Sequence, residues 1–285
     1  MSKNQKINLG LLSTLLLAVG FSAVCLFPQQ ELDWSRYSLA AAILYLVAHL
    51  VRSLRFYFNI SVGQDVSIKN SIFINFTSNS IGNVLFFVPF VKEILILTLS
   101  IFSKIKGIGR IIFVIIYIRI FDLIFAITLF LIFHNLGESH NYAFYFIFFT
   151  SFLALLLLIF AYRIIEGVSY YCTKYHHNIL TLKIVENLSS IKKFLRKKKC
   201  YEAENILLNI LLTLSSWGLE MGALWLINGS ITETVDVILS NVASYFDLAA
   251  RVEISNESAF LFFILSLVSA LLVIKKIHHE ISHRQ

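Results

Sequence analysis

Long apolar runs divide the chain into segments that are each long enough to cross a lipid bilayer. A helix needs about 20 apolar residues to span about 30 Å of hydrocarbon. The runs that meet this requirement are Ile7–Phe27, Tyr37–Phe58, Ile108–Phe133, Tyr142–Tyr162, Ile206–Ile227 and Ala259–Ile274. The pattern therefore predicts an all-α bundle with about six transmembrane helices.

One further apolar region, Ser71–Phe102, is interrupted near its middle. Gly82, Pro89, Lys92 and Glu93 lie there, and irregular backbone at membrane depth is tolerated only inside protein or beside a cavity. The short flanks of this region are both basic, which places both on the cytoplasmic side. We therefore expect a re-entrant hairpin that breaks between about Gly82 and Pro89. Two tight full spans are the alternative, but each would be too short.

The segment Ile231–Glu257 predicts a second broken helix or a helix on the membrane surface. It mixes acidic residues with an apolar stretch and is long for a bare loop. Opposed broken helices are found in inverted-repeat transporters, whose substrate sites lie near the midplane. An inverted repeat is therefore an option, although the two halves share no clear repeat of residues.

The composition agrees with a membrane protein and excludes a soluble globule. The 285 residues are 58% hydrophobic and 14% charged, whereas an average soluble domain is about 25% charged. The three cysteines have no metal-binding spacing and are too few and scattered for a disulfide framework. We expect one integral membrane domain over residues 1–285, without a metal or cofactor.

The net charge of +7 indicates topology more than function. Excess Lys and Arg mark cytoplasmic loops. With Arg36 and Arg251 outside and Lys92 and Arg119 within the membrane, 20 of the 24 basic residues lie on the cytoplasmic side. Both termini are then cytoplasmic. Lys92 and Arg119 are the two basic residues that this rule does not explain, which makes them candidates for function.

The strongest candidate site is the pair Arg119 and Asp122 inside the third predicted span. The spacing i, i+3 places both on one helical face, where they can pair. A charge at the centre of a membrane helix costs about 2.5–3.5 kcal/mol on insertion scales. We predict that Arg119 contacts a lipid phosphate and that Asp122 orients it. The alternative is a structural pair that holds this helix to a neighbour.

Five more charged residues, Lys92, Glu93, Arg52, Arg55 and Glu220, and the amide of Asn83 complete the predicted substrate-binding set. Lys92 and Glu93 lie at the helix break, with Asn83 before it, and a cation at a break forms an anion site. Otherwise Lys92 and Glu93 lie at the lipid interface. Arg52 and Arg55 end the second span and could receive a headgroup or anchor the helix.

Glu220 lies in the middle of the fifth span with no basic residue within one turn. A lone carboxylate there must pair across helices, remain protonated or face a cavity. Arg119 and Lys92 are the partners we expect.

A basic run, Ile191–Lys199, lies within a predicted cytoplasmic helical segment over residues 170–202. Its sequence IKKFLRKKK holds six basic residues, each contributing about 1 kcal/mol of attraction to an anionic membrane surface. It could alternatively dock a cytosolic or membrane partner, or serve only to set topology. We do not expect nucleic acid to bind a run beside the membrane.

Four stretches in order along the chain resemble the lysylphosphatidylglycerol synthase transmembrane-region family, also called the flippase-like family. They are HLVRSLRFYFNI, GNVLFFVPFVKEILILTLS, IIYIRIFDLIFAITLFL and SSWGLEMGALWLI. The chain departs from the family in reading SNVASYFDLAARVEISNES where a Pro-Gly-Gly-x-Gly stretch is typical. The resemblance implies movement of an anionic, aminoacylated or polyprenyl-linked lipid between leaflets. Larger relatives carry an aminoacyl-transferase domain, which we expect this chain to lack.

The sequence thus predicts a lipid translocator of the bacterial inner membrane whose partner is a phospholipid or lipid-linked saccharide. It contains no P-loop, GxSxG or HExxH motif, so an enzyme is not expected. Two alternatives are an accessory subunit for envelope glycolipid synthesis and an intramembrane lipid-modifying enzyme with Glu220 or Asp122 as base.

Overall fold

The structure is a computed structural model that describes residues 3–26, 39–61, 66–85, 91–133, 156, 160, 162–174, 179–198, 203–244 and 256–282. All regular structure in these ranges is α-helical. The helices are α1 (Lys3–Leu26), α2 (Leu39–Ile60), α3 (Ile68–Val84), α4 (Val91–Phe102), α5 (Ile108–Phe133), α6 (162–174), α7 (Ile179–Lys198), α8 (Ala203–Asn228), α9 (Ile231–Ser244) and α10 (Asn256–Ser282).

Five of the described helices are long and apolar enough to cross a membrane, namely α1, α2, α5, α8 and α10. They coincide with five of the predicted spans. The remaining predicted span, Tyr142–Tyr162, lies outside the described residues except at positions 156, 160 and 162. The chain is therefore an all-α integral membrane protein with several spans.

The interruption predicted within Ser71–Phe102 separates two shorter helices. α3 has 17 residues and α4 has 12, which gives lengths of about 26 and 18 Å at 1.5 Å per residue. Both are shorter than a hydrocarbon core of about 30 Å. The break between Val84 and Val91 confirms that the region is not one continuous helix, while its depth in a bilayer stays a prediction.

The first of two compact units comprises Met1–Ser53, Ile68–Leu99 and Ser215–Gln285. Its centre is formed by α1, α3 and α10, which pack against one another. Leu15, Ile74 and Leu265 are fully buried there. α3 and α10 run antiparallel, because Ser80 hydrogen-bonds Ser269 at 2.6 Å while Phe73, two turns earlier, lies 4.0 Å from the Lys276 ammonium.

The second compact unit comprises Leu54–Ser67 and Ser100–Leu214. Here α5 packs against α7, and the backbone N–H of Gly109 donates to Asn187 at 3.3 Å. Arg110 donates to the carbonyl of Ile60 at 2.7 Å. This bond satisfies one of the carbonyls left open at the end of α2.

Two turns set the helix boundaries that flank the functional residues. The turn between α4 and α5 places Lys104 and Gly107 at positive φ, 60° and 84°. Gly229 adopts φ 71° and its N–H bonds the carbonyl of Trp225 at 2.8 Å, which ends α8 in the manner of a C-terminal glycine. The helix α9 that follows confirms helical structure over part of Ile231–Glu257, whereas its insertion into the membrane stays a prediction.

Candidate functional site

The candidate site in the second unit is centred on an ion pair between α2 and α5. Nη2 of Arg55 donates to both carboxylate oxygens of Asp122, at 2.8 and 3.0 Å. The two residues are 2% and 8% exposed. Because few water molecules can screen so buried a pair, each charge depends on the other for most of its stabilisation.

Arg119 is the third member of this cluster. Its Nη1 donates to Asp122 Oδ2 at 3.2 Å, and its side chain is 34% exposed. The predicted i, i+3 pair between Arg119 and Asp122 is confirmed. The sequence did not predict that Asp122 is shared with Arg55. Two guanidinium groups and one carboxylate leave this triad with a formal charge of +1.

Arg119 lies on the outward side of α5 rather than in its packed interior. Ile112 and Ile116 are 40% and 51% exposed, and they precede Arg119 by seven and three residues, which places all three on one helical face. Arg119 is eleven residues from the start of α5, or about 17 Å along its axis. An anion reaching this face would meet the guanidinium near the middle of the span.

Polar side chains from α8 support the pair between Arg55 and Asp122. Nη1 of Arg55 donates to Thr213 Oγ1 at 2.5 Å, and Thr213 in turn donates to the carbonyl of Asn209. Asn59 donates from Nδ2 to Asn209 Oδ1 at 2.7 Å. These bonds hold the Arg55 side chain in place, so Asp122 is presented to Arg119 in one orientation.

A separate ion pair lies in the first unit, between α2 and α8. Arg52 donates to Glu220, and its guanidinium lies 5.1 Å from the centre of the Trp217 ring. The expectation that Glu220 pairs across helices is confirmed, but the expected partners, Arg119 and Lys92, are wrong. The correct partner is Arg52 because α2 and α8 meet side by side, as the Leu44 side chain near Gly222 also shows.

Lys92, Glu93 and Asn83 also belong to the first unit. Lys92 stands in the first turn of α4 with its aliphatic stem against the backbone of Gly82 in α3. Asn83 is 5% exposed, and Oε2 of Glu93 is buried. The predicted eight-residue set is thus divided, since Arg55, Arg119 and Asp122 belong to the second unit.

The set of site residues predicted from the sequence does not contain Asn59, Asn209, Thr213 and Trp217. Helical spacing was the signal that could have found most of them. In α8, Asn209, Thr213, Ser216 and Glu220 recur at intervals of four, three and four residues, which places them on one face of an otherwise apolar helix. A polar stripe of this kind inside a membrane span predicts contact with polar groups of another helix.

The segment predicted to be cytoplasmic contributes a surface pair. Lys192 of α7 donates to Glu166 at 2.8 Å and lies 5.3 Å from the Tyr162 ring. The hydrogen bond to Glu166 holds the pKa of Lys192 above its ordinary value. α7 confirms the helix predicted around the basic run, although the side chains beyond residue 192 lie outside the described ones.

Within the described ranges, no three His, Cys, Asp or Glu side chains gather as a metal site requires. Comparison with family models, curated proteins and solved structures found no match to this chain. The resemblance to the flippase-like family therefore rests on the four sequence stretches alone and stays a prediction.

Proposed function

We propose that this membrane protein binds the phosphate of an anionic lipid at Arg119 and translocates that lipid between leaflets. The observation that carries the proposal is the triad of Arg55, Asp122 and Arg119. Its formal charge is +1, and its most exposed member is the arginine at mid-span. The resemblance to the flippase-like family is consistent with it, and we propose membership of that family as well.

An anionic ligand suits this arrangement for an electrostatic reason. A positive charge near the middle of a span is costly, and Asp122 is already shared between two arginines. A phosphate would add a negative charge beside them, and guanidinium groups bind phosphate through strong charge-assisted hydrogen bonds. Asp122 would then orient Arg119 toward the ligand. Because Asp122 also binds Arg55, it would neutralise only part of the charge of Arg119.

An intramembrane enzyme is a weaker proposal on the same geometry. A catalytic base needs a free lone pair within reach of the proton that it removes. Asp122 accepts hydrogen bonds from Arg55 and Arg119, and Glu220 accepts one from Arg52. Both carboxylates are therefore engaged by guanidinium groups. An accessory subunit, in contrast to a lipid translocator, would not exchange lipid between leaflets when it is the only protein in a liposome.

The test is a leaflet-exchange assay in liposomes that contain the purified protein. Fluorescent phosphatidylglycerol that reaches the outer leaflet is bleached by dithionite, which gives an initial rate of exchange. Removing one charge-assisted contact worth about 1.5–3 kcal/mol corresponds to at least about tenfold. Arg119→Gln should therefore lower the rate about tenfold or more, whereas Arg119→Lys should retain part of it.

Lys174→Gln provides the matched control. Lys174 is an exposed cation of α6 that lies 5.6 Å from the Tyr170 ring, so its loss removes one positive charge away from the triad. Equal rates for wild type and Arg119→Gln would exclude Arg119 as the lipid contact. A wild-type rate no higher than that of protein-free liposomes would favour the accessory-subunit alternative.

A further inference from the structure

Helix α3 is polar and yet enclosed by the first unit. Residues 73–83 are all buried, and they include Asn75, Asn79 and Asn83. Several of these side chains satisfy one another locally, since Asn79 donates to the Asn75 carbonyl at 2.7 Å and to its Oδ1 at 2.9 Å. A helix with this composition suits a polar interior better than a lipid-facing position.

His49 of α2 faces this polar helix. Its side chain is 1% exposed, and its ring packs edge-on against Tyr45 at 4.7 Å and Phe76 of α3 at 5.9 Å. Asn75 lies beside it, but neither ring nitrogen makes a hydrogen bond of normal geometry within the described part of the chain. A buried imidazole N–H without such a bond is unfavourable, which points to a hydrogen-bonding ligand that this site accepts.

Two cations belong to the same compact unit as His49. Arg52 lies one turn further along α2, and Lys92 contacts α3, the helix that His49 also contacts. Arg52 is paired with Glu220 of α8, while Lys92 is held in place by the contact of its stem with Gly82. The groups that α3 presents here, Asn75 and Phe76, are uncharged. Tyr45 is the other ionisable residue in contact with the ring.

A proton on His49 would therefore add a positive charge near Arg52 and Lys92, where the Glu220 carboxylate is the counter-charge of Arg52. An anion bound between Arg52 and Lys92 would reverse this balance, because it would attract the protonated imidazole and give its N–H a hydrogen-bond acceptor. Linkage then requires that anion binding promotes protonation and that protonation promotes anion binding to the same extent.

We propose that His49 takes up one proton when a phosphate group binds beside Arg52 and Lys92. This inference rests on the proposed function in one respect, because it takes the transported lipid as the source of the phosphate. The new element is that binding of the anion is coupled to protonation of His49. The affinity for the anion should rise as the pH falls, by up to about tenfold per pH unit.

The experiment measures proton uptake by the full-length protein in phosphatidylcholine nanodiscs at pH 6, with a pH-indicator dye in weak buffer. Dihexanoylphosphatidylglycerol, a water-soluble anionic lipid, is added in one arm and inorganic phosphate in another. Dihexanoylphosphatidylcholine controls for the acyl chains. Uptake approaching one proton per protein molecule is expected when the anionic lipid saturates the site. Equal uptake with inorganic phosphate would show that the phosphate, not the lipid, is recognised.

His49→Gln should abolish the uptake, whereas His278→Gln, which changes an exposed histidine, should leave it unchanged. Imidazole ¹⁵N spectra provide a second measurement that does not depend on a variant that folds. In wild type, the signal of His49 should change from neutral to protonated when the anionic lipid is added. One of the eight imidazoles of the wild-type chain should change in this way, and the dihexanoylphosphatidylcholine arm should leave all of them unchanged.

The outcomes separate this inference from the proposed function. Lipid exchange that depends on Arg119 while His49 stays neutral would overturn the inference alone. Proton uptake that persists in His49→Gln would also overturn it. A third outcome is that His49 becomes protonated when inorganic phosphate is added, while wild type exchanges no lipid. That result would support the anion-coupled proton site and overturn the proposed function.

Discussion

Arg55 of α2 and Asp122 of α5 form a deeply buried ion pair, with one guanidinium nitrogen 2.8 and 3.0 Å from the two carboxylate oxygens. The two residues lie 67 positions apart in the chain. Burial makes this pair a structural element, while Arg119 on the same carboxylate is the partly exposed member of the cluster. Stability and function should therefore separate at this cluster.

Asp122→Asn should destabilise the protein strongly. Removing one partner of a buried ion pair costs about 3–5 kcal/mol, because the remaining charge loses its counter-charge. Thermal unfolding in detergent should show a large drop in melting temperature. Glu166→Gln removes a carboxylate whose side chain is 56% exposed, and its cost should stay within about 1 kcal/mol. Similar melting temperatures for both variants would contradict the structural role of Asp122.

Arg119→Gln should leave stability nearly unchanged although it impairs lipid exchange. Its side chain is 34% exposed, and it donates one hydrogen bond to Asp122, whereas Arg55 donates two. Arg55→Gln, which affects the same carboxylate, should lower the melting temperature much more, since the Arg55 side chain is 3% exposed. The melting temperatures of both variants are measured by thermal unfolding in the same detergent. If Arg119→Gln unfolds as readily as Arg55→Gln, loss of transport would reflect misfolding.

Gly82→Ala should displace Lys92. A Cβ at this position would collide with the Lys92 stem. The stem must then shift, and its ammonium group shifts with it. We expect weaker binding of anionic lipid with a small change in stability, measured by lipid titration of the purified protein. Gly10→Ala is the matched control, because nothing lies within 4 Å of a Cβ there. This change should stabilise α1 by about 0.5–1 kcal/mol.

Gly109→Ala should loosen α7 from α5. A Cβ on Gly109 would lie 2.9 Å from the backbone carbonyl oxygen of Asn187, and backbone cannot move aside as a flexible side chain does. The expected result is faster cleavage by trypsin at the basic residues of α7. Gly167→Ala, in α6, meets nothing within 4 Å and should be cleaved at the wild-type rate. Equal cleavage of the two variants would argue against close packing of α7 on α5 in the membrane-bound protein.

The turn between α4 and α5 should face the cytoplasm. Lys104 and Lys106 make this turn basic, and excess positive charge marks the cytoplasmic side. In a variant without native cysteines, a single cysteine introduced at Lys106, which is exposed in this turn, should react with a membrane-impermeant maleimide only after cells are opened. Labelling of intact cells would contradict the predicted topology and the re-entrant arrangement of α3 and α4.

The apolar pattern alone was sufficient for the helices, because membrane helices must satisfy their backbone internally and their length is set by the bilayer. Ile108–Phe133 was predicted with the bounds that α5 has. The pairing of Arg119 with Asp122 was also predictable, since both lie on one helix and the helical repeat decides which side chains meet.

The partners across helices were decided only by the tertiary structure. Glu220 pairs with Arg52, 168 residues away, and no periodicity within one helix specifies which face of another it meets. The enclosure of the polar helix α3 was equally beyond the sequence, which predicted its break but not its burial.

The sequence by itself thus determined that the chain is an all-α membrane protein and which local charges lie within its spans. The tertiary structure decided which of those charges are neutralised and which stay accessible. The physical reason is that hydropathy and helical spacing act within a segment, whereas the environment of a buried charge depends on packing between segments that are distant in the chain.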